Sequence, residues 1–189
     1  MARPRTIPDE AVLDAALAVA GQRGPAGVTF ASVSAASGLS PATLVQRFGT
    51  KEAMLRAALE RAWDLLDAAT AREDEQQPVT PDGAVHVVTA LWPATDIDEN
   101  YAEGLLLLYE DMRDPVLRHR GVAWRTALTS ALGRRLSDDP AEQMRLGRLM
   151  ASQWQGAQIW WAFERQGVGR DVVADELRTW LKAMGVDKA

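Results

Sequence analysis

The chain has 189 residues, 47% of them hydrophobic, which is enough to bury a sizeable core and sets general disorder aside. It has no cysteine, which excludes disulfides, thiolate nucleophiles and zinc–thiolate sites, and its two histidines, His86 and His119, lie too far apart for a compact metal-ligand spacing, so no metal and no cofactor is expected. The net charge of −5 divides into +1 over residues 1–60 and −6 over the rest, a near-neutral head on an acidic body.

The opening stretch MARPRTIPDE is charged and lacks the apolar run of a secretory signal. No segment approaches the ~18 consecutive apolar residues of a membrane span. A soluble, cytoplasmic protein with no membrane partner is expected. Alanine, leucine, arginine and glutamate are abundant and β-branched alternation is nearly absent, so the chain reads as all-α.

The first helix is predicted over 7–23, with Thr6 as cap and Asp9 as an acidic partner for the exposed amides. Val12, Ala16, Val19 and Ala20 share one face at helical spacing, and Leu13 and Leu17 lie beside them. Gly24-Pro25-Ala26-Gly27 stops this helix. A short second helix is predicted over 30–36, capped by Thr29, with Gly38 placed to take a positive φ after it. Ser40 caps a third helix over 41–47, and Pro41 occupies its first position, where a missing amide does no harm. Gly49 breaks it, and Thr50 caps a long fourth helix over 51–74.

Gln76-Gln77-Pro78-Val79-Thr80-Pro81-Asp82 reads as a linker. Beyond it, helices are predicted over 82–92, 98–111, 115–136, 140–166 and 171–184, with start signals at Pro81-Asp82, Asp98, Asp114-Pro115, Asp139-Pro140 and Asp171.

Helix, glycine turn and short helix at 29–48 form the constellation that carries function. On the third helix Ala42, Thr43 and Gln46 are read as outward and Leu44, Val45 and Phe48 as inward. Small outward residues let a backbone approach a DNA groove, and Thr and Gln can meet base edges. Amides at the helix start and the hydroxyls nearby can hold phosphates.

Thr29-Phe30-Ala31-Ser32-Val33-Ser34-Ala35-Ala36-Ser37-Gly38-Leu39-Ser40, then Pro41-Ala42-Thr43-Leu44, then Phe48-Gly49-Thr50-Lys51-Glu52 resemble the N-terminal module of the TetR family of regulators. That family's pattern is roughly T-x-x-x-I-A-x-x-A-G-V-S-x-G-T-L-Y-x-H-F-x-x-K-E-x-L. The spacing agrees without a gap to Leu55, and the resemblance covers about residues 8–60. Val45 stands where the pattern has tyrosine, Arg47 where it has histidine, and Ala42 where it has glycine.

The resemblance implies a helix-turn-helix DNA-binding domain over 1–50 and a helical ligand-binding and dimerisation domain over 51–189. It implies that Thr29 and Lys51 hold phosphates and that Thr43 and Gln46 face bases, with Ser40, Pro41 and Ala42 at the groove. Val45 forfeits the phosphate contact of the family's tyrosine, and Arg47 is the candidate to replace it. Arg3 and Arg5 are candidates for the backbone or a minor groove. The implied partners are double-stranded DNA with a palindromic operator, a second copy of the chain, and a small-molecule effector.

The body shows no catalytic constellation. Its acidic clusters (Glu73-Asp74-Glu75, Asp96-Asp98-Glu99 and Glu110-Asp111) fall at helix ends, where carboxylates cap or are solvated, and there is no Gly-rich phosphate loop and no G-x-S-x-G, so an enzyme is not expected. All seven tryptophans lie after residue 60. Trp63, Trp92, Tyr101, Tyr109 and Trp124 are candidates for an effector pocket, whose aromatic lining would suit an apolar or planar ligand. The helix at 140–166 carries apolar residues on more than one face, so Leu149, Gln153, Ala157 and Trp160, with Leu177, Trp180 and Leu181 of the last helix, are candidates for a dimer interface of four helices. The leading expectation is a repressor released from its operator by a small apolar or aromatic ligand. The alternative is a helical protein-interaction module with a degenerate head.

Overall fold

The computed structural model describes residues 7–92 and 97–186 and, within them, nine helices and no strand. They are α1 (Asp9–Gly27), α2 (Phe30–Ser37), α3 (Pro41–Phe48), α4 (Lys51–Gln76), α5 (Pro81–Ala90), α6 (Ile97–Arg113), α7 (Pro115–Leu136), α8 (Pro140–Glu164) and α9 (Gly169–Ala183). No helix among the described residues is long and apolar enough to cross a membrane. Two compact units emerge, one of residues 1–65 with 100–119, the other of 66–99 with 120–189, so α4 and α7 each contribute to both.

The first unit is built on small aliphatic side chains. Val12, Ala16, Val19 and Ala20 of α1 recur at helical spacing and are buried with Val28, Val33, Leu44, Met54 and Ala58. Small residues at this seam let short helices approach closely, so α1 packs on α2 and α2 on α3. The first helix starts at Asp9 rather than Ile7, with Pro8 at its cap position and no side-chain cap bond. The proposed cap Thr6 lies outside the described residues. Gly24, with φ 65°, breaks the helix at the expected place, because only a residue without Cβ adopts that backbone without strain.

The second unit carries larger side chains. Val85, Val87 and Val88 of α5, Leu128 and Leu132 of α7, Met150 and Trp154 of α8, and Val173, Leu177 and Leu181 of α9 are buried. α9 packs on both α5 and α8. Where α7 and α8 cross, a Cβ on Gly147 would run into the Thr129 carbonyl and one on Gly133 into the backbone of Gln143, so glycine permits this close approach. Thr80 rather than Pro81-Asp82 caps α5, accepting from the Gly83 amide at 3.1 Å. Asp139 caps α8 as expected, whereas α9 begins at Gly169, ahead of the expected Asp171, with no side-chain cap.

Arg135, with only 1% of its side chain exposed, closes the end of α4. Its guanidinium donates to the carbonyls of Asp74 at 2.7 Å, Gln77 at 2.9 Å and Pro78 at 3.1 Å, and to the Asp74 carboxylate at 2.6 Å. The Asp74 carbonyl, left open at the end of α4, and the carbonyls of Gln77 and Pro78 just beyond it are thereby satisfied. Burial alone would raise the Asp74 carboxyl, but hydrogen bonds from Arg135 and Arg134 outweigh it and hold the group below the usual carboxylate range.

Candidate nucleic-acid interface

Side chains of the turn itself hold α2 and α3 in place. Thr29 and Ser32 form a reciprocal capping box at the start of α2: the Thr29 hydroxyl accepts from the Ser32 amide at 3.0 Å, and the Ser32 hydroxyl accepts from the Thr29 amide at 2.9 Å. Gly38 ends α2 in the left-handed region, at φ 76°. Ser40 then caps α3, accepting from the Thr43 amide at 3.2 Å, and the two hydroxyls lie 2.9 Å apart. Thr50 caps α4 through the Ala53 amide at 3.1 Å. Three polar residues at the expected positions, Thr29, Ser40 and Thr50, thus cap α2, α3 and α4, and Ser32 completes the box at the first.

Leu44 is fully buried, and Phe48 is half-buried against the same core. Pro41, Ala42 and Gln46 are exposed, Thr43 is half-buried, Thr29 is exposed and Lys51 is half-buried. One orientation is corrected: Val45, expected to point inward, is 46% exposed. It follows Leu44 by one residue, a rotation of about 100° around the helix, which carries it away from the core face. The position of the family's tyrosine therefore lies on the outward side of α3, beside Ala42 and Gln46.

Arg47 points elsewhere. Its guanidinium donates to the Ile7 carbonyl at 2.7 Å and to the Asp9 carboxylate at 3.0 Å, tying α3 to the start of α1. Arg61 pairs with Asp14 of α1 at 3.2 Å in the same way. Two cations of this unit are thus matched by carboxylates of α1. The sequence signal for the Arg47 pair was Asp9, which had been read only as a helix-start residue. Arg3 and Arg5 lie outside the described residues.

The five aromatic pocket candidates divide between the units. In the first, the Trp63 indole donates to the Asp111 carboxylate at 3.1 Å, Tyr101 is buried, and Tyr109 is 52% exposed with the Arg113 guanidinium over its ring. Burial pushes the Asp111 carboxyl up to about 6, opposed by the Trp63 hydrogen bond and assisted by the charge of Asp114. Burial likewise raises the Tyr101 hydroxyl. In the second unit, Trp92 meets Trp161 edge-on at 5.5 Å, and Trp124 lies against Trp154 at 6.3 Å while its indole donates to Thr70 at 2.9 Å. Trp154 and Trp161 were not among the pocket candidates. Their spacing of seven along α8 was the signal that they share its buried face with Gly147 and Ala151.

The dimer candidates also divide. Leu149 and Trp160 are 41% and 64% exposed. Gln153 and Trp180 are partly exposed, and the Gln153 amide donates to Glu176 across α8 and α9. Ala157, Leu177 and Leu181 have at most 3% of their surface exposed within the single chain, because they fill its own interior on α8 and α9. Phe163, 77% exposed and 5.9 Å from the Trp160 ring, is a further outward aromatic that the sequence reading passed over. Among the described residues no cluster of histidine and carboxylate side chains could hold a metal ion.

Residues 12–58, which contain the capped turn and α3, match the family described as "Bacterial regulatory proteins, tetR family". No curated protein matches the chain. Among solved structures, the chain shares its fold with a protein from Saccharomonospora viridis, described as a transcriptional regulator and crystallised in complex with choline, at a TM-score of 0.72 and 17% identity over 92% of this chain and 95% of that one. The capped helix-turn-helix and the matching pattern across it together identify residues 12–58 as the N-terminal module of the TetR family of bacterial regulatory proteins.

Proposed function

We propose that the protein is a dimeric repressor that binds a two-fold symmetric operator through residues 1–50 and is released from it by a small ligand held in residues 51–189. One observation carries this reading: α3 stands on a fully buried Leu44 and turns Pro41, Ala42, Val45 and Gln46 outward, a low, uncharged face suited to the major groove. On it Thr43 and Gln46 meet bases and Ala42 lets the backbone approach. Thr29, Ser40 and Lys51 hold phosphates on either side, with Arg3 and Arg5 reaching the backbone or a minor groove. Arg47 is a phosphate contact only if it leaves Asp9 and Ile7. Such a protein works in the cytoplasm, where its DNA is.

The tryptophans of the second unit support an effector site. Trp92 with Trp161 and Trp124 with Trp154 give flat apolar surface. The buried Trp154 Nε1 and Gln158 Nε2 have no hydrogen-bond acceptor among the described residues, so a ligand oxygen in their reach would gain strongly. Aromatic faces also attract organic cations, and the choline bound by the Saccharomonospora viridis protein makes a quaternary ammonium compound the first probe to try. Outward Leu149, Gln153, Trp160 and Trp180, backed by Ala157, Leu177 and Leu181, supply the surface for a second copy, and a symmetric reader needs one. To release DNA ~100-fold, a ligand must prefer the non-binding arrangement by ~2.7 kcal/mol.

The deciding experiment is selection of bound duplexes from a random DNA pool at near-physiological salt. A two-fold symmetric motif is the expected result. Salt-insensitive, sequence-blind behaviour by folded protein would instead favour a protein-interaction module, a reading to which the neutralised Arg47 and Arg61 lend weight.

A further inference from the structure

α7 carries five arginines, Arg118, Arg120, Arg125, Arg134 and Arg135, and no carboxylate. Carboxylates match three of them: Asp67 pairs with Arg120, and Asp74 pairs with Arg134 and Arg135. Arg125 reaches only the Ser152 hydroxyl of α8, at 3.3 Å, and the Arg148 guanidinium of α8 is in no ion pair or hydrogen bond among the described residues. Both guanidiniums line a groove of about 270 Å³ between α7 and α8 in the second unit, with Val122, Thr126, Thr129 and Met144. None of these residues is acidic, in a chain whose net charge is −5. Glu142, on the first turn of α8, is held by Arg145. Asp138 and Asp139 precede α8, ~13 Å or more along the axis from Arg148, and Asp139 accepts from the Ala141 amide. The carbonyl end of α7 and the amide end of α8 meet at that turn and offset each other.

Thr129 is the second observation. Thr70, Thr89, Thr126 and Thr179 each donate to the carbonyl four residues back, the usual resort of a threonine inside a helix. Thr129 does not. It is 2% exposed, it lines the groove, and its hydroxyl has no hydrogen-bond partner among the described residues. A buried hydroxyl left in this way costs free energy until an acceptor from outside the chain completes it.

From the two unmatched guanidiniums and the unmet hydroxyl we infer that the groove is a binding site for a small organic carboxylate with a short apolar tail. The carboxylate sits between Arg125 and Arg148, whose planar forks match its two oxygens, and accepts from Thr129. The tail lies on Val122 and Met144, both exposed in the chain alone. An ammonium would meet two like charges, and a neutral alcohol would gain the apolar surface but little from the guanidiniums. Leu149, Gln153 and Trp160, the outward residues assigned to a second copy, lie about 100–140° round α8 from Arg148, on another side of the helix. The site is separate from the tryptophan pairs and depends neither on the DNA reading nor on an effector held there.

The test is a nuclear magnetic resonance titration of the full, isotope-labelled chain with n-hexanoate, with n-hexanol as the uncharged control and n-hexylammonium as the opposite charge. Hexanoate should move the amide signals of Thr126, Thr129 and Arg148, hexanol should do so with weaker affinity, and hexylammonium should not. The double variant Arg125→Gln and Arg148→Gln changes two exposed side chains that make no ion pair, so the fold is kept. It should lose about fivefold for hexanoate and nothing for hexanol. Thr129→Val keeps the shape of the buried side chain and should lose about threefold for hexanoate alone. Trp92→Phe should leave hexanoate binding unchanged, whereas a carboxylate held at the tryptophans would respond to it. Absence of hexanoate binding, equal affinity for hexanoate and hexanol, an affinity that survives either groove variant, or one that falls in Trp92→Phe would overturn the inference.

Discussion

The two units solve the same problem with different materials. The first packs small aliphatic residues, Ala16, Ala20, Val28, Val33 and Ala58 among them, under two eight-residue helices that are too short to be stable alone. The second packs tryptophans and uses a buried arginine to close the end of α4. The difference suits the roles proposed for them. A reading head must present one short helix at a fixed angle, so side-chain caps and close packing dominate it. A body that receives a ligand needs large, polarisable surface and tolerates a few unmatched donors.

The sharpest way to break this contrast is at the buried arginine. Arg135→Met leaves the Asp74 carboxylate with Arg134 alone and deprives three carbonyls at or just beyond the end of α4 of this donor, and should cost about 4 kcal/mol in urea unfolding. The Asp74 carboxyl is held low, so the stability of this pair is present above the ordinary carboxylate pKa and fades as pH falls through the lowered one. In Arg135→Met that acid sensitivity should shrink. A variant with wild-type stability would mean that the arginine is incidental to the second unit.

Leu44→Ala comes next. It empties a fully buried position beneath α3 and should cost about 3 kcal/mol, with loss of DNA binding ahead of any loss of body structure. With Trp63 of the first unit replaced by Phe, fluorescence of the other six tryptophans reports the second unit, while amide exchange in α2 and α3 reports the head. If both give way together, the two units do not differ in independence as their cores suggest.

A smaller effect is expected at Asp111. Its folded-state carboxyl is raised to about 6 from an ordinary 3.8, so the ionised form is disfavoured in the folded protein. Stability should therefore fall as pH rises from about 4 to about 6 and stay lowered above that. Asp111→Asn keeps an acceptor for Trp63 and should remove this slope, gaining about 1 kcal/mol at neutral pH once solvent screening at a half-buried site is allowed for. Parallel thermal melts of the two proteins across that range would show a constant difference if the carboxyl is not the cause. The smallest change is Ser40→Ala, which removes the cap of α3 and should cost about 0.5–1 kcal/mol. Its operator affinity should fall by more than that stability loss explains if the hydroxyl also meets a phosphate, as proposed.

Much of the head was legible because its signals are local. Thr29, Gly38, Ser40, Pro41 and Thr50 each act within three or four residues, and each stands where its local chemistry requires. Val45 and Arg47 were less legible for a single reason. The direction of a side chain on an eight-residue helix depends on where the neighbouring helices lie, and Arg47 found its partners about forty positions away, at Ile7 and Asp9. In the body, apolar residues on several faces of α8 announced packing on several sides, but not which face met α9. Leu177 and Leu181 look identical in sequence whether they cover a partner or their own chain.

The sequence by itself determined the helical class, the positions of breaks and caps and the reading module, because these depend on propensity, period and contacts a few residues apart. The tertiary structure alone decided which tryptophans pair, that Arg135 seals α4, and that Arg47 turns back to the start of α1. Those features depend on side chains brought together from segments that are thirty or more residues apart, and no local pattern encodes such a meeting.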